Sequence, residues 1–176
     1  MRYLIVITIL LAISSVLYAA ETSVGLNACV VLNDSGDETA ESIVVMHFDL
    51  PGAVSGKEII YVELSFSFSL QDQNDSALYE FMIFPATDQW SEETIDYEEA
   101  VDVANSMMSG SYTVRLTNQN EFHVDITNFV MEVVGEQRTN YGLIAITDLL
   151  GDDNLRLPAN IGNSIRNSAS VRIVYK

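Results

Sequence analysis

The chain has a single cysteine, Cys29, so no internal disulfide can form. A cystine framework is excluded, and the core must hold the domain by itself. Cys29 reads first as a small buried hydrophobe. The run Leu26-Asn27-Ala28-Cys29 also resembles a bacterial lipobox, although Glu21, Thr22, Ser23 and Asn27 separate the cysteine from the apolar run before it. Bases are scarce too. Eight Lys and Arg stand against 25 Asp and Glu, a net charge of −17. A surface of that sign repels nucleic acid and anionic lipid, which argues against a nucleic-acid partner.

Catalytic signatures are missing as well. The only two histidines, His47 and His123, both fall in strand-like segments. There is no Gly-x-Ser-x-Gly, no His-Glu-x-x-His and no phosphate-binding loop. Cys29 has no recognisable activating partner, and the neighbouring acids Glu92 and Glu93 would face opposite ways on a strand. The expectation is a protein that is not an enzyme, with no catalytic residue and no certain cofactor.

Long apolar runs are limited to the start of the chain. Arg2 is followed by an apolar stretch from Tyr3 to Ile13, then by Ser14, Ser15, Ala19 and Ala20. This reads as a signal peptide over residues 1–20, cut after Ala19 or Ala20. Retention of the run as an anchor is the alternative. It ends near Tyr18, short of the ~20 apolar residues a bilayer span needs. After cleavage no segment is apolar enough to span a membrane. The expected location is secreted, extracellular or cell-surface, and residues 21–176 form one domain. Loss of Arg2 leaves seven bases against 25 acids, a net charge of −18. About 156 residues suffice to bury one core.

What fills the chain is alternation. In residues 58–70 (EIIYVELSFSFSL), Ile60, Val62, Leu64, Phe66, Phe68 and Leu70 point one way, and Tyr61, Glu63, Ser65, Ser67 and Ser69 the other. Period two over this length is a half-buried strand. Residues 42–50, 111–117, 121–127 and 169–175 repeat the pattern. Segments 24–32, 78–85 and 141–147 are apolar on both faces and read as deeper strands. Turn residues separate them, as at Asn33 to Asp37, Pro51-Gly52, Gln71 to Asp75, Ser109-Gly110 and Gly151 to Asp153. Eight or nine such strands mean an all-β sandwich or barrel. Residues 96–108 fit a helical turn or irregular loop. Residues 127–135 fit one short helix, capped by Thr127 or Asn128 and ended at Gly135.

Four stretches resemble the DNRLRE family of secreted domains: Val44 to Leu50 followed by Ile60 to Phe68; Trp90-Ser91-Glu92-Glu93-Thr94-Ile95-Asp96-Tyr97; Val124-Asp125-Ile126-Thr127 with Asn140-Tyr141-Gly142-Leu143; and Ser170 to Tyr175. The likeness spans about residues 42–176. It implies an antiparallel β-sandwich of jelly-roll topology, similar to carbohydrate-binding modules. The chain departs from the family in its short opening segment, in His47 where Arg is usual, and in lacking a second tryptophan near Val133 or Val134.

Trp90 is the only tryptophan. It is a candidate platform for a sugar ring, with Glu92 and Tyr97 completing a ligand-binding patch. Equally, it could pack a long loop onto the sandwich. Asp125 and Thr127 are candidate polar contacts, or structural anchors that accept from backbone N–H groups at the helix start. Acids at 34, 37, 38, 72, 75, 148, 152 and 153 are solvated loop residues or ligands of a structural calcium; none has helix–loop–helix calcium spacing. Asn33-Asp34-Ser35 and Asn74-Asp75-Ser76 fit the N-glycosylation pattern, relevant only in a eukaryotic host. The functional expectation is a non-catalytic binding module for carbohydrate or another extracellular polymer. The alternative is a structural, assembly or adhesion protein of the cell surface whose partner is an extracellular protein.

Overall fold

The computed structural model describes residues 19–33, 42–67, 79–96, 100, 112–116, 121–147 and 159–176. These form nine strands: β1 (Ala20–Gly25), β2 (Ala28–Asn33), β3 (Ser42–His47), β4 (Ile59–Ser67), β5 (Tyr79–Pro85), β6 (Tyr112–Leu116), β7 (Glu121–Asp125), β8 (Leu143–Thr147) and β9 (Ser170–Tyr175). Two α-helices accompany them, α1 (Thr127–Val134) and α2 (Ala159–Ser168). Among the described residues no helix is long and apolar enough to cross a membrane. Residues 1–18, most of the expected signal peptide, lie outside the described residues.

The fold is an all-β sandwich of two antiparallel sheets. One has the order β1-β9-β4-β7, the other β2-β3-β8-β5-β6. Set β2 aside, and the remaining eight strands pair first with last: β1 with β9, β3 with β8, β4 with β7, β5 with β6. A ribbon doubled back on itself and rolled up has this pairing. The pairs β4·β9 and β5·β8 close the two sheets.

The alternation seen in the sequence builds the interior. Val62, Leu64 and Phe66 of β4, Phe122 and Val124 of β7, and Val171 and Ile173 of β9 pack from the first sheet. Cys29, Val44, Met46, Ile83, Leu143 and Ala145 meet them from the second. Glu63, on the outer face of the first sheet, accepts from Tyr61 Oη at 2.9 Å and lies 3.1 Å from His123 Nδ1. The second sheet is covered on its other face as well. Ile43, Val45, Phe84 and Ile144 form a separate cluster there with Ala86 and Ala100. The segment after β5 supplies this cover, so the sheet is apolar on both faces.

Four expectations change in detail. Ile59, not Ile60, enters the core, because a bulge between Ile59 and Tyr61 shifts the register by one residue. Phe68 and Leu70 lie outside the described residues. Segment 24–32 is two strands in different sheets, crossing over at Leu26-Asn27. Asn27 holds the crossover: its N–H donates to His47 C=O at 2.8 Å, and its Oδ1 accepts from Asp49 N–H at 2.6 Å. The helix at 127–134 is present, but Ile126 stands at its N-cap and no side chain caps it from there. Helix α2 has no counterpart in the sequence-based expectation. Its Ile165 is fully buried between the sheets.

Candidate functional site

The residues of the site come from two strand ends and two loops. Strand β3 alternates Val44 and Met46 inward with Ile43, Val45 and His47 outward, and Ala28 pairs with His47 across β2. The loop after β5 brings Gln89, Trp90, Ser91 and Glu92 over this corner. The loop before β8 brings Asn140 and Tyr141. Together these eight residues line an open cleft of about 420 Å³ on the outer face of the second sheet. That volume falls in the usual range for small-molecule pockets.

Most of the walls are pinned to the backbone. Trp90 is half-buried against the outer cluster, and its Nε1–H donates to Tyr141 C=O at 2.7 Å. Glu92 Oε1 accepts from Cys29 N–H at 2.8 Å. Strand β2 is an edge strand, so this carboxylate covers a donor that has no ladder partner. Asn140 Nδ2 donates to Phe48 C=O at 2.8 Å, and its Oδ1 accepts from Gly142 N–H at 3.1 Å. His47 Nε2 lies 3.2 Å from Asn140 C=O. A carbonyl can only accept, so His47 Nε2–H donates this bond. Ser91 and Thr94 share a hydroxyl–hydroxyl bond of 2.8 Å that shapes the loop.

Of the three ligand-binding residues expected from the sequence, Trp90 and Glu92 are brought together. Tyr97 lies outside the described residues. Among the described residues the second aromatic wall is Tyr141. Asp125 and Thr127 are far from the cleft in role. Asp125 Oδ1 accepts from Thr127 N–H at 2.9 Å, and Thr127 Oγ1 accepts from Val62 N–H at 2.8 Å. They tie α1 to β4. The sequence singled out Asn140-Tyr141-Gly142 only as a turn. Its link to Trp90 is a contact over 51 residues that no local pattern carries. Strand alternation alone did place His47 outward.

Metal ligation has no geometry to support it among the described residues, where no three His, Cys, Asp or Glu come together. The acids at 34, 37, 38, 72, 75, 148, 152 and 153, considered for calcium, lie outside those residues.

Cys29 is buried in β2, and its pairing partner β3 and helix α2 enclose it. Chain cleavage at Cys29, as a lipobox would require, removes β1 from β9. Burial pushes the thiol up to about 11 from its usual 9.0, with Arg166 opposing and Glu92 adding to the rise. The raised value means the folded chain holds this proton longer than the unfolded chain. Stability from this group is therefore complete below pH 9 and is lost as pH climbs to about 11. Denaturant titrations of the wild type should show a falling midpoint across that window, and Cys29→Ala should show a smaller fall. At pH 8 the native thiol should react with an aromatic disulfide far more slowly than the unfolded chain does. Equal rates would contradict the burial.

No family model matches the chain, and no curated protein matches it.

Proposed function

We propose that this protein is a non-catalytic binding module of the cell exterior, taking a sugar unit of a polysaccharide or another extracellular polymer in the Trp90 cleft. The observation that carries this is the cleft itself: two aromatic side chains and several polar ones converge on about 420 Å³ beside a rigid sheet. Aromatic walls suit the C–H face of a pyranose, and flanking polar groups meet its hydroxyls. A site whose walls are pinned to backbone loses little entropy on binding.

The rolled-ribbon pairing supports a jelly roll, the topology expected from the DNRLRE resemblance, and that resemblance supports a carbohydrate-binding role. The basic-then-apolar first twenty residues support export. His47 and His123 stand in different sheets and the sequence carries no catalytic motif, which supports a role without chemistry.

One observation favours the alternative, an assembly or adhesion protein with no small ligand. Trp90 Nε1–H, Glu92 Oε1 and both ends of the Asn140 amide are engaged with backbone groups. A loop that only needs to be stitched down would look the same.

Trp90 makes the test direct, because it is the single tryptophan and every change in indole emission reports this cleft. Titration with a panel of soluble polysaccharides should shift its emission for at least one of them. Calorimetry on Gln89→Ala, an exposed lining residue, should show about fivefold weaker binding, one hydrogen bond's worth. An unshifted emission across the panel, together with concentration-dependent growth in light scattering, would establish the assembly role instead.

A further inference from the structure

The charge of the cleft is one-sided. Among the described residues Glu92 is its only fully charged lining residue, and no Lys or Arg lines it. Two donors are already spent on carbonyls, Trp90 Nε1–H on Tyr141 and the Nε2–H of His47 on Asn140. One charged acceptor is left over. Glu92 uses Oε1 on Cys29 N–H, which leaves Oε2. Beside it stand the rings of Trp90 and Tyr141, whose faces are negative at the ring centre. An indole or phenol face next to a carboxylate attracts an ammonium group through cation–π and ionic terms together. The rest of the molecule points the same way, since a net charge of −17 draws cations and repels anions.

We propose that the cleft selects polymers bearing a protonated amine, 2-amino-2-deoxy sugar units with a free amino group, over their N-acetylated and uronic-acid counterparts. This rests on the binding-module function argued above and narrows its ligand. The ammonium lies against Glu92 Oε2 and an aromatic face. Acetylation removes the charge, and a uronate brings a second carboxylate toward Glu92.

The test uses the full mature chain and three soluble oligosaccharides of equal length: glucosamine, N-acetylglucosamine and a uronate. Trp90 emission and calorimetry are read at a pH low enough to keep the amine charged. The glucosamine oligomer should bind about five- to tenfold more tightly than the acetylated one, in line with a partly exposed cation–π and ion pair. That preference should shrink with added salt. Glu92→Gln keeps an acceptor for Cys29 N–H while removing the charge. It should abolish the preference and leave the circular-dichroism spectrum unchanged. Should the acetylated or acidic oligomer bind as tightly as the amine and shift Trp90 equally, the charge selection is overturned and the binding-module function stands. Should none of the three bind while another polysaccharide shifts Trp90, selection for an amine is overturned alone. A Glu92→Gln variant that retains the full preference also overturns it.

Discussion

Gly142→Ala should unfold or nearly unfold the protein. Gly142 has φ +93°, a conformation that an L side chain rarely adopts. A Cβ built there would sit 2.1 Å from Met46 O and 3.1 Å from His47 Cα. Both are backbone atoms of β3, so no side chain can turn away to make room. The backbone conformation costs about 1–3 kcal/mol for a non-glycine residue, and forcing the strands apart costs about the same again. A sum of about 4 kcal/mol is a large part of the 5–15 kcal/mol that holds a typical domain together. The substitution also disturbs two bonds at this turn. Ala86 N–H donates to Gly142 C=O at 2.9 Å, and Gly142 N–H donates to Asn140 Oδ1 at 3.1 Å. Tyr141, held between them, is the acceptor for Trp90. Chemical denaturation followed by Trp90 emission should therefore show two effects: a lower midpoint, and red-shifted emission of the native state as the indole loses its partner. A variant within about 1 kcal/mol of wild type would mean that β3 and β8 approach less closely than the structure shows.

Much of the fold was legible because period-two alternation is a local signal. Val62, Leu64 and Phe66 face inward as the spacing says, and β3, β7 and β9 follow the same rule. The bulge at Ile59–Tyr61 was not legible, because a one-residue slip leaves the composition of the strand unchanged and only the partner strand reveals it. The two strands within 24–32 read as one for a related reason. Both are apolar, and the crossover at Asn27 is made by hydrogen bonds to His47 and Asp49, about 20 residues away. Helix α2 ran against propensity. Its sequence, ANIGNSIRNS, is rich in Asn, Ser and Gly, which disfavour helix interiors. It forms where Ile165 can enter the core, so tertiary burial overrides the local preference.

The site was legible in part. Trp90 and Glu92 drew attention as a lone tryptophan beside acids, and both line the cleft. Asn140 and Tyr141 carried only turn chemistry in the sequence. Their part in the cleft comes from the loop after β5 folding over the second sheet, where the apolar outward residues Ile43, Val45 and Ile144 require a cover. The extra apolar face of β3 was the available clue. A strand greasy on both sides needs a lid, and the only tryptophan lies in a long connection able to supply one.

Phe48→Ala should be the most damaging truncation of a core side chain, at about 3–5 kcal/mol. Phe48 is fully buried just beyond β3, and it is among the largest such side chains. Its ring meets Phe129 of α1 edge-on, with centroids 6.2 Å apart and planes at 69°. Phe129 is also buried, and α1 is further tied to the sandwich by buried Val130, by Thr127 and by the Ile126 N–H bond to Val62 C=O. Removing the Phe48 ring therefore leaves a cavity bordered by α1, whose Phe129 loses its ring partner. The backbone of the same residue accepts from Asn140 Nδ2, so collapse around the cavity would shift the loop that carries Tyr141. Two measurements separate these contributions. A double-mutant cycle with Phe48→Leu and Phe129→Leu should give a coupling of about 0.5–1.5 kcal/mol, the value of an edge-to-face pair beyond its buried area. The Phe48→Ala variant, under conditions where it remains folded, should show faster amide exchange in α1 than in β4 and β9. Uniform exchange across all three would mean that the helix is fastened by something other than this ring pair.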